Sequence, residues 1–173
     1  YGPINIGVTV WVVTGPYLAQ HDRAVTLSLA ASSIWKDERM GVAFSSVDFH
    51  DATSNPSAAL YADFNDCNMR LPMQNAIGKD DGRINVYMVD LVQGSDGRGQ
   101  TCGFGKDFVV IPSNPGDALL AHEMGHDFVL EHVDALTGDF DESNVMHSLH
   151  AIGQYFTEGQ LFRAHLAPLS TLN

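Results

Sequence analysis

Basic residues are scarce in this chain: nine lysines and arginines stand against twenty-one aspartates and glutamates, a formal charge of −12 over 173 residues. Nucleic acids and anionic membranes are recognised through a basic footprint, so neither is an expected partner. Cysteine is rarer still. Cys67 and Cys102 permit one disulfide, and neither belongs to a C-x-x-C pair. No apolar run approaches the ~18–20 residues of a membrane span, and no charged, then apolar, then small-residue leader is present. A secretory signal, if there was one, is therefore expected to have been removed, in keeping with a start at Tyr1-Gly2-Pro3. Internal repeats, low-complexity tracts and interdomain linkers are lacking as well. What remains is a chain of one domain's length, 45% apolar, enough for a substantial core.

Hydrophobic periodicity divides the chain into elements. Ile4, Ile6, Val8, Val10 and Val12 alternate strictly, which predicts a strand ended by Gly15-Pro16. From Asp22 to about Arg39 the period lengthens. Ala24, Leu27, Ala31, Ile34 and Trp35 share a helical face, with Asp22 as N-cap and Gly41 as the stop. Val42 to Phe49 reads as a second strand whose alternation slips at Ser45-Ser46, the mark of a bulge. Residues 51–82 carry turn signals at Asn55-Pro56, Leu71-Pro72 and Asp80-Asp81-Gly82, and read as a long loop around Cys67. Ile84 to Leu91 is apolar on both faces, like a central strand. After a turn over Gly94 to Gly99, Gly99 to Gly105 and Asp107 to Ile111 read as two further strands. Asn114-Pro115-Gly116-Asp117 reads as the start of a helix from Ala118 to about Phe128, with Asn114 the cap and Asp117 facing the positive end. Thr157-Glu158-Gly159-Gln160 is a capping box opening a last helix, stopped by Pro168.

The helix predicted from Ala118 carries the chemistry. His122 and His126, four residues apart, fall on one face a turn above each other, where both imidazoles can bind one metal ion. Glu123 lies beside them, placed to take a proton from water on that metal. His132 follows six residues after His126. On a continuous helix it would stand ~15 Å along the axis from His122, so the chain has to leave the helix after His126 and turn back. Ser143-Asn144-Val145-Met146 comes next.

His122-Glu123-x-x-His126 with His132 and a following Met146 resembles the metzincin zinc endopeptidases. One position departs from the pattern: the family has glycine three residues after the second histidine, where the helix breaks, and this chain has Val129. Glycine takes positive φ without strain and a β-branched residue does not. The turn must therefore be made differently here, or the third ligand is not His132. The resemblance implies an α/β (α+β) fold: a twisted mixed sheet of about five strands with an antiparallel edge strand, an active-site helix, a Met-turn and a C-terminal helix. It implies one catalytic domain over 1–173, with an upper subdomain of about 1–128 and a short lower one of about 129–173. It also implies one catalytic Zn²⁺ held by His122, His126 and His132, with Glu123 as general base and then acid in peptide-bond hydrolysis, and Met146 in a tight turn beneath the metal. Some members add a tyrosine two residues after the methionine; Ser148 stands there, which leaves Tyr155 as a candidate oxyanion stabiliser. Substrate is expected to pair as an extra strand along Gly99, Gln100, Thr101, Cys102, Gly103 and Phe104. A protein or peptide substrate, a secreted setting and a monomer complete the expectation.

Two other readings stay open. One keeps His122, Glu123 and His126 but takes its third ligand from Asp139, Asp141 or Glu142, as gluzincin or aspzincin proteases use a distant carboxylate. The other is a non-catalytic binding module stabilised by a metal or by calcium, against which Glu123 argues, since structural zinc has no use for a general base. The acidic stretch from Asp134 to Glu142 could bind Ca²⁺, although a solvated charge run is the simpler reading. His147 and His150 are expected to be surface or supporting residues rather than ligands. Cys67 is expected to pair with Cys102, tying the long loop to the strand beside the cleft; the competing idea is a free Cys67 thiol able to bind zinc.

Overall fold

In a computed structural model, which describes residues 4–36, 40–93, 98–134, 142–148 and 153–167, the chain opens with β1 (Ile4–Val12) and α1 (Tyr17–Trp35). There follow β2 (Val42–Asp51), β3 (Asp63–Phe64), α2 (Arg70–Ile77), β4 (Arg83–Val89), β5 (Leu91–Val92), β6 (Gln100–Thr101) and β7 (Phe108–Pro112). The helices α3 (Leu119–Asp127) and α4 (Glu158–Leu166) complete the order. Five strands make one mixed sheet, β2-β1-β4-β7-β6, parallel throughout except where β6 runs antiparallel to β7 at the edge. β3 and β5 pair separately. The expected architecture is therefore present, with its antiparallel edge strand next to the histidine helix.

The sheet separates two apolar clusters. On one face Ile6, Val8, Val10, Val86 and Met88 meet Ala24, Leu27, Ala31 and Trp35 of α1 and Leu120 and Met124 of α3. On the other, Tyr87, Val89, Phe108 and Val110 meet Phe64 and Met73 and Ile77 of α2. Each such side chain contributes about 1.5–3 kcal/mol on full burial. Trp35 also positions the site. It packs against Phe128 and Phe156, and its indole N–H donates to the Ala121 carbonyl at 3.2 Å, one residue before His122.

Several predicted details hold. β1 has the expected bounds, β4 is buried on both faces, and Thr157 with Gln160 forms the capping box of α4. The bulge is real: Ile6 pairs with Phe44 but Gly7 with Ser46, leaving Ser45 as the extra residue. Others are corrected. α1 begins at Tyr17 with Pro16 at its cap, and Asp22 lies inside it. Gly15 at φ 83 and Pro16 at φ −67 already turn the chain into helical register, so no side-chain cap is required. Asn114 does not cap α3, whose cap is Ala118, and Asp117 instead pairs with Arg23 at 3.1 Å. The supposed loop 51–82 contains two 3₁₀ turns and α2. Pro72 had marked a turn, but it sits in the first turn of α2, where a missing N–H is no loss.

β6 has two residues where a strand from Gly99 to Gly105 was predicted. Gly103 and Gly105, at φ 100 and φ 66, curl the chain away from the sheet. The turn residues 94–97 and Pro168 lie outside the described residues. Among the described residues, no helix is long and apolar enough to cross a membrane.

Cys67 and Cys102 form the disulfide, Cα atoms 5.4 Å apart, and no cysteine is free. It ties the segment before α2 to the residue that follows β6, a strand held to β7 through only Gln100 and Thr101. A cross-link closing a loop of 35 residues contributes about 3–4 kcal/mol in the chain-entropy account. Unreduced protein should therefore show no alkylatable thiol by mass spectrometry, and Cys67→Ser/Cys102→Ser should lower the thermal midpoint by many degrees. An unchanged midpoint would remove the cross-link from the stabilising interactions.

Candidate metal centre

α3 ends where the site begins. The Leu130 N–H donates to the Gly125 carbonyl and the Val129 N–H to the His126 carbonyl, both at 2.9 Å. This 6→1 and 5→2 pair is the Schellman arrangement, which needs a left-handed residue between. Val129 supplies it, at φ 64. The valine thus makes the same reversal as the glycine of the metzincin pattern, at a strain of ~1–2 kcal/mol, somewhat more for a β-branched residue. The paired amides and the packing of Val129 against the core offset that strain. Beyond it the chain doubles back, and the Val133 N–H donates to the Met146 carbonyl at 3.1 Å.

The reversal brings three imidazoles together. His132 Nε2 lies 3.2 Å from His122 Nε2 and 3.1 Å from His126 Nε2. Three nitrogens bound at ~2.0–2.1 Å to one tetrahedral ion stand ~3.3 Å apart, so the spacing suits a shared cation. The other ring nitrogens are fixed by main chain. His122 Nδ1 donates to the Val145 carbonyl at 2.6 Å and His126 Nδ1 to the Leu130 carbonyl at 2.8 Å. A carbonyl only accepts, so each Nδ1 carries the proton and each Nε2 presents a lone pair to the centre. Burial pushes His122 down to about 3, helped by the adjacent His126 ring, and His126 down to about 4. It also holds His132 below its usual value. All three rings are neutral near pH 7, as metal ligands must be. The three histidines could hold a metal ion.

Glu123 is buried at 4% exposure, and burial pushes its carboxyl up to about 8, while the Thr101 backbone N–H works the other way. It lies against the edge strand so tightly that a Cβ on Gly99 would stand 2.7 Å from Glu123 Cγ and 3.0 Å from the Val110 carbonyl oxygen. One turn on, Asp127 is fully buried, and burial followed by the Glu123 charge holds its carboxyl well above the usual range. Gly125 faces Met146: a Cβ there would meet the sulfur at 2.1 Å. Met146 is itself fully buried in a turn closed by the His147 N–H on the Asn144 carbonyl at 3.1 Å. Gly99 was expected only as a member of the edge strand, not as room for Glu123, and Gly125 was not singled out in the sequence. Gly125, a glycine inside a helical pattern, was the available signal.

Arg98, Gly99, Gln100, Thr101, Gly103, Phe104, His122, Glu123, His126, His132 and Ser148 line one cleft of about 410 Å³. Of the predicted edge strand, Cys102 is turned to the disulfide. Tyr155 does not line this cleft; its backbone N–H and carbonyl pair with Ser143 and Val145 of the methionine turn. His147 is buried and is not one of the clustered histidines, the supporting rather than the surface alternative of its expected roles. Glu142 is exposed. Asp139, Asp141, His150 and all but the ends of the candidate calcium segment lie outside the described residues. Asp134, at one of those ends, is engaged by Ser148: its carboxylate accepts the Ser148 N–H at 2.9 Å and the Ser148 hydroxyl.

No protein-family profile matches the chain, and no curated protein does. Among solved structures, the crystal structure of metalloproteinase-II from Bacteroides fragilis matches with a TM-score of 0.60 and 14% sequence identity, over 94% of this chain and 52% of that one. The chain shares its fold with that metalloproteinase. A structure of a chaperone–substrate complex matches with a TM-score of 0.55 and 11% identity, over 99% of this chain and 35% of that chain. The chain thus spans about half the length of metalloproteinase-II, and at such identities the likeness concerns the fold alone.

Two outcomes follow from the geometry. Val129→Gly removes ~1–2 kcal/mol of left-handed strain against ~1 kcal/mol of added unfolded-chain entropy. It also removes the valine's packing against the core, so gain and losses are of similar size: the thermal midpoint should move by a few degrees at most and metal affinity should not change, and a fall of many degrees in calorimetry would contradict the strain assigned to this residue. The second concerns pH in the metal-free protein. The histidines, depressed below 6.5, contribute stability that is intact above 6.5 and lost as pH falls. Glu123, raised from 4.5 to about 8, contributes stability that is present below 4.5 and lost as pH rises toward 8. Between pH 6.5 and 8 the histidine effect is complete and the raised carboxyls act, Glu123 with its neighbour Asp127, so the chelated protein should lose stability as pH rises there. Glu123→Gln should flatten that slope in thermal scans across the window.

Proposed function

We propose that the protein is a zinc-dependent endopeptidase of the metzincin kind. The observation that carries this reading is the convergence of three Nε2 atoms, two of them freed for a metal by main-chain bonds to Nδ1, beside a buried glutamate at a sheet edge. His122, His126 and His132 would hold the ion, and His132 rather than a carboxylate from the acidic segment takes the third place. A zinc ion there supplies a Lewis acid that acidifies water and polarises the scissile carbonyl, and its charge favours the ionised form of Glu123.

Glu123 is the group placed to accept a proton from the attacking water and return it to the leaving amine. Its position depends on Gly99, whose missing side chain lets the carboxylate lie against the edge strand. β6 is the last strand of the sheet among the described residues, so its outer edge can pair with an extended peptide and hold the scissile bond over the cleft. Met146, packed into the space left by Gly125, supports the histidine helix from below. The products are a carboxylate and an amine, with no covalent enzyme intermediate. We read 1–173 as one catalytic domain acting as a monomer on protein or peptide substrate, and the disulfide supports an oxidising, extracellular setting.

The test combines metal content with turnover. Protein loaded with zinc should carry one ion per chain and cleave unfolded protein or long peptides. Glu123→Gln should keep the ion and lose roughly 10²- to 10⁴-fold in rate, whereas His132→Ala should lose the ion. Zinc retained by His132→Ala would exclude the ligand set. A fully loaded parent that cleaves nothing in a broad peptide library would favour the binding-module reading.

A further inference from the structure

Among the described residues that line the cleft, Phe104 brings the one large apolar side chain; the rest of the lining is polar side chains and glycine. Phe64, Phe108 and Phe128 are buried completely, whereas Phe104 is 46% exposed. A single exposed apolar residue is ordinary on a protein surface. One in the wall of a polar cleft, beside a cluster of metal-binding histidines, is placed to be covered by whatever enters.

The backbone holds it there. Gly103 and Gly105 flank Phe104 at φ 100 and φ 66, conformations that residues with side chains rarely adopt. The loop is fixed at both ends. Cys102 is tied to Cys67, while the Asp107 carbonyl accepts the Asn85 N–H at 3.0 Å and its carboxylate pairs with Lys79 at 3.1 Å. Between them the Gly105 N–H donates to the His126 carbonyl at 3.4 Å, which seats the loop on the end of α3. An apolar surface placed in advance costs less ordering entropy on binding. β6 ends at Thr101, so Phe104 lies beyond the ladder and offers a substrate its ring rather than a place in the strand.

That ring lies 5.9 Å from the ring of His126, less than the span of two residues of extended chain at ~3.3 Å each. A peptide bond held at the histidine cluster therefore brings a nearby side chain of the same peptide onto Phe104. We propose that Phe104 is a specificity-determining residue whose ring receives a large apolar side chain, aromatic or aliphatic, within about two residues of the scissile bond. This rests on the endopeptidase reading and names its substrate class: peptides with a bulky apolar residue next to the cut.

The test uses the full zinc-loaded chain and peptides in which one residue is varied among Phe, Leu, Ala and Ser, at each of the two positions on either side of the cleaved bond. At one of these positions the parent should favour Phe or Leu over Ala by roughly 10- to 100-fold in kcat/KM, the range set by burying one large apolar side chain. Phe104→Ala should fall far more on the Phe peptide than on the Ala peptide, and Phe104→Leu should keep part of the ratio, with zinc content and circular dichroism unchanged. As a readout besides activity, the chelated parent should bind the Phe peptide more tightly than the Ala peptide by calorimetry, and Phe104→Ala should narrow that gap.

A parent ratio near one at every position, which requires no variant, overturns the proposal. So does a Phe104→Ala variant that loses rate equally on all peptides and keeps the ratio, because the preference then belongs to another part of the cleft. Cleavage without apolar preference leaves the endopeptidase reading standing and removes this one. Apolar binding that depends on Phe104, without any cleavage, does the reverse.

Discussion

Three imidazole nitrogens meeting at 3.1 and 3.2 Å form the contact on which the rest of the site depends. His122 and His126 have committed their Nδ1 protons to carbonyls, so two lone pairs face the same ring nitrogen of His132. Protonation does not relieve this crowding, because burial makes charged imidazolium costly at the two helix positions. A shared cation does. The surrounding structure keeps these three rings in place.

The holding is done from outside the helix. The carbonyls that fix the two tautomers belong to Leu130, one residue past the left-handed turn, and to Val145, in the methionine turn. The methionine turn has its own support: Asn144 and Gln160 exchange side-chain hydrogen bonds at 3.0 and 3.1 Å, and Asn144 accepts the Met146 N–H at 2.9 Å. Gln160 is also the residue that closes the capping box of α4. One glutamine thus links the start of the last helix to the turn that orients His122. A Cβ on Gly153 would come within 2.3 Å of the Asn144 backbone, so close packing of main chain on main chain completes the clamp.

The cleft's other wall is less firmly built. β6 has two ladder residues, and it is placed by Glu123 lying against Gly99 and by the disulfide at Cys102. A short strand with no neighbour on its outer side among the described residues is suited to receiving an extended peptide. The fold shared with a metalloproteinase does not itself assign that role. The proposal of that role rests on the residues at this edge.

Local patterns carried the sequence reading far. Helical periodicity places His122 and His126 on one face whatever lies elsewhere, the alternation of β1 fixes its bounds, and Thr157 with Gln160 forms a cap from within four residues. His132 could be nominated because a rigid helix excludes it unless the chain reverses. How it reverses could not be read: the intrinsic preference of valine opposes the left-handed turn, and amides and carbonyls arranged by tertiary contacts overrule it at Val129. α2 was missed because Pro72 has opposite meanings in a first turn and in a helix interior. The need for glycine at 99 and 125 was beyond reach for a related reason, since each is required by side chains distant in sequence, Glu123 and Met146 respectively. The sequence determined which groups could do the chemistry, because residue type and short-range geometry are local. Only the tertiary structure decided that they meet, because the bonds aiming each ring come from segments that packing, not periodicity, brings alongside.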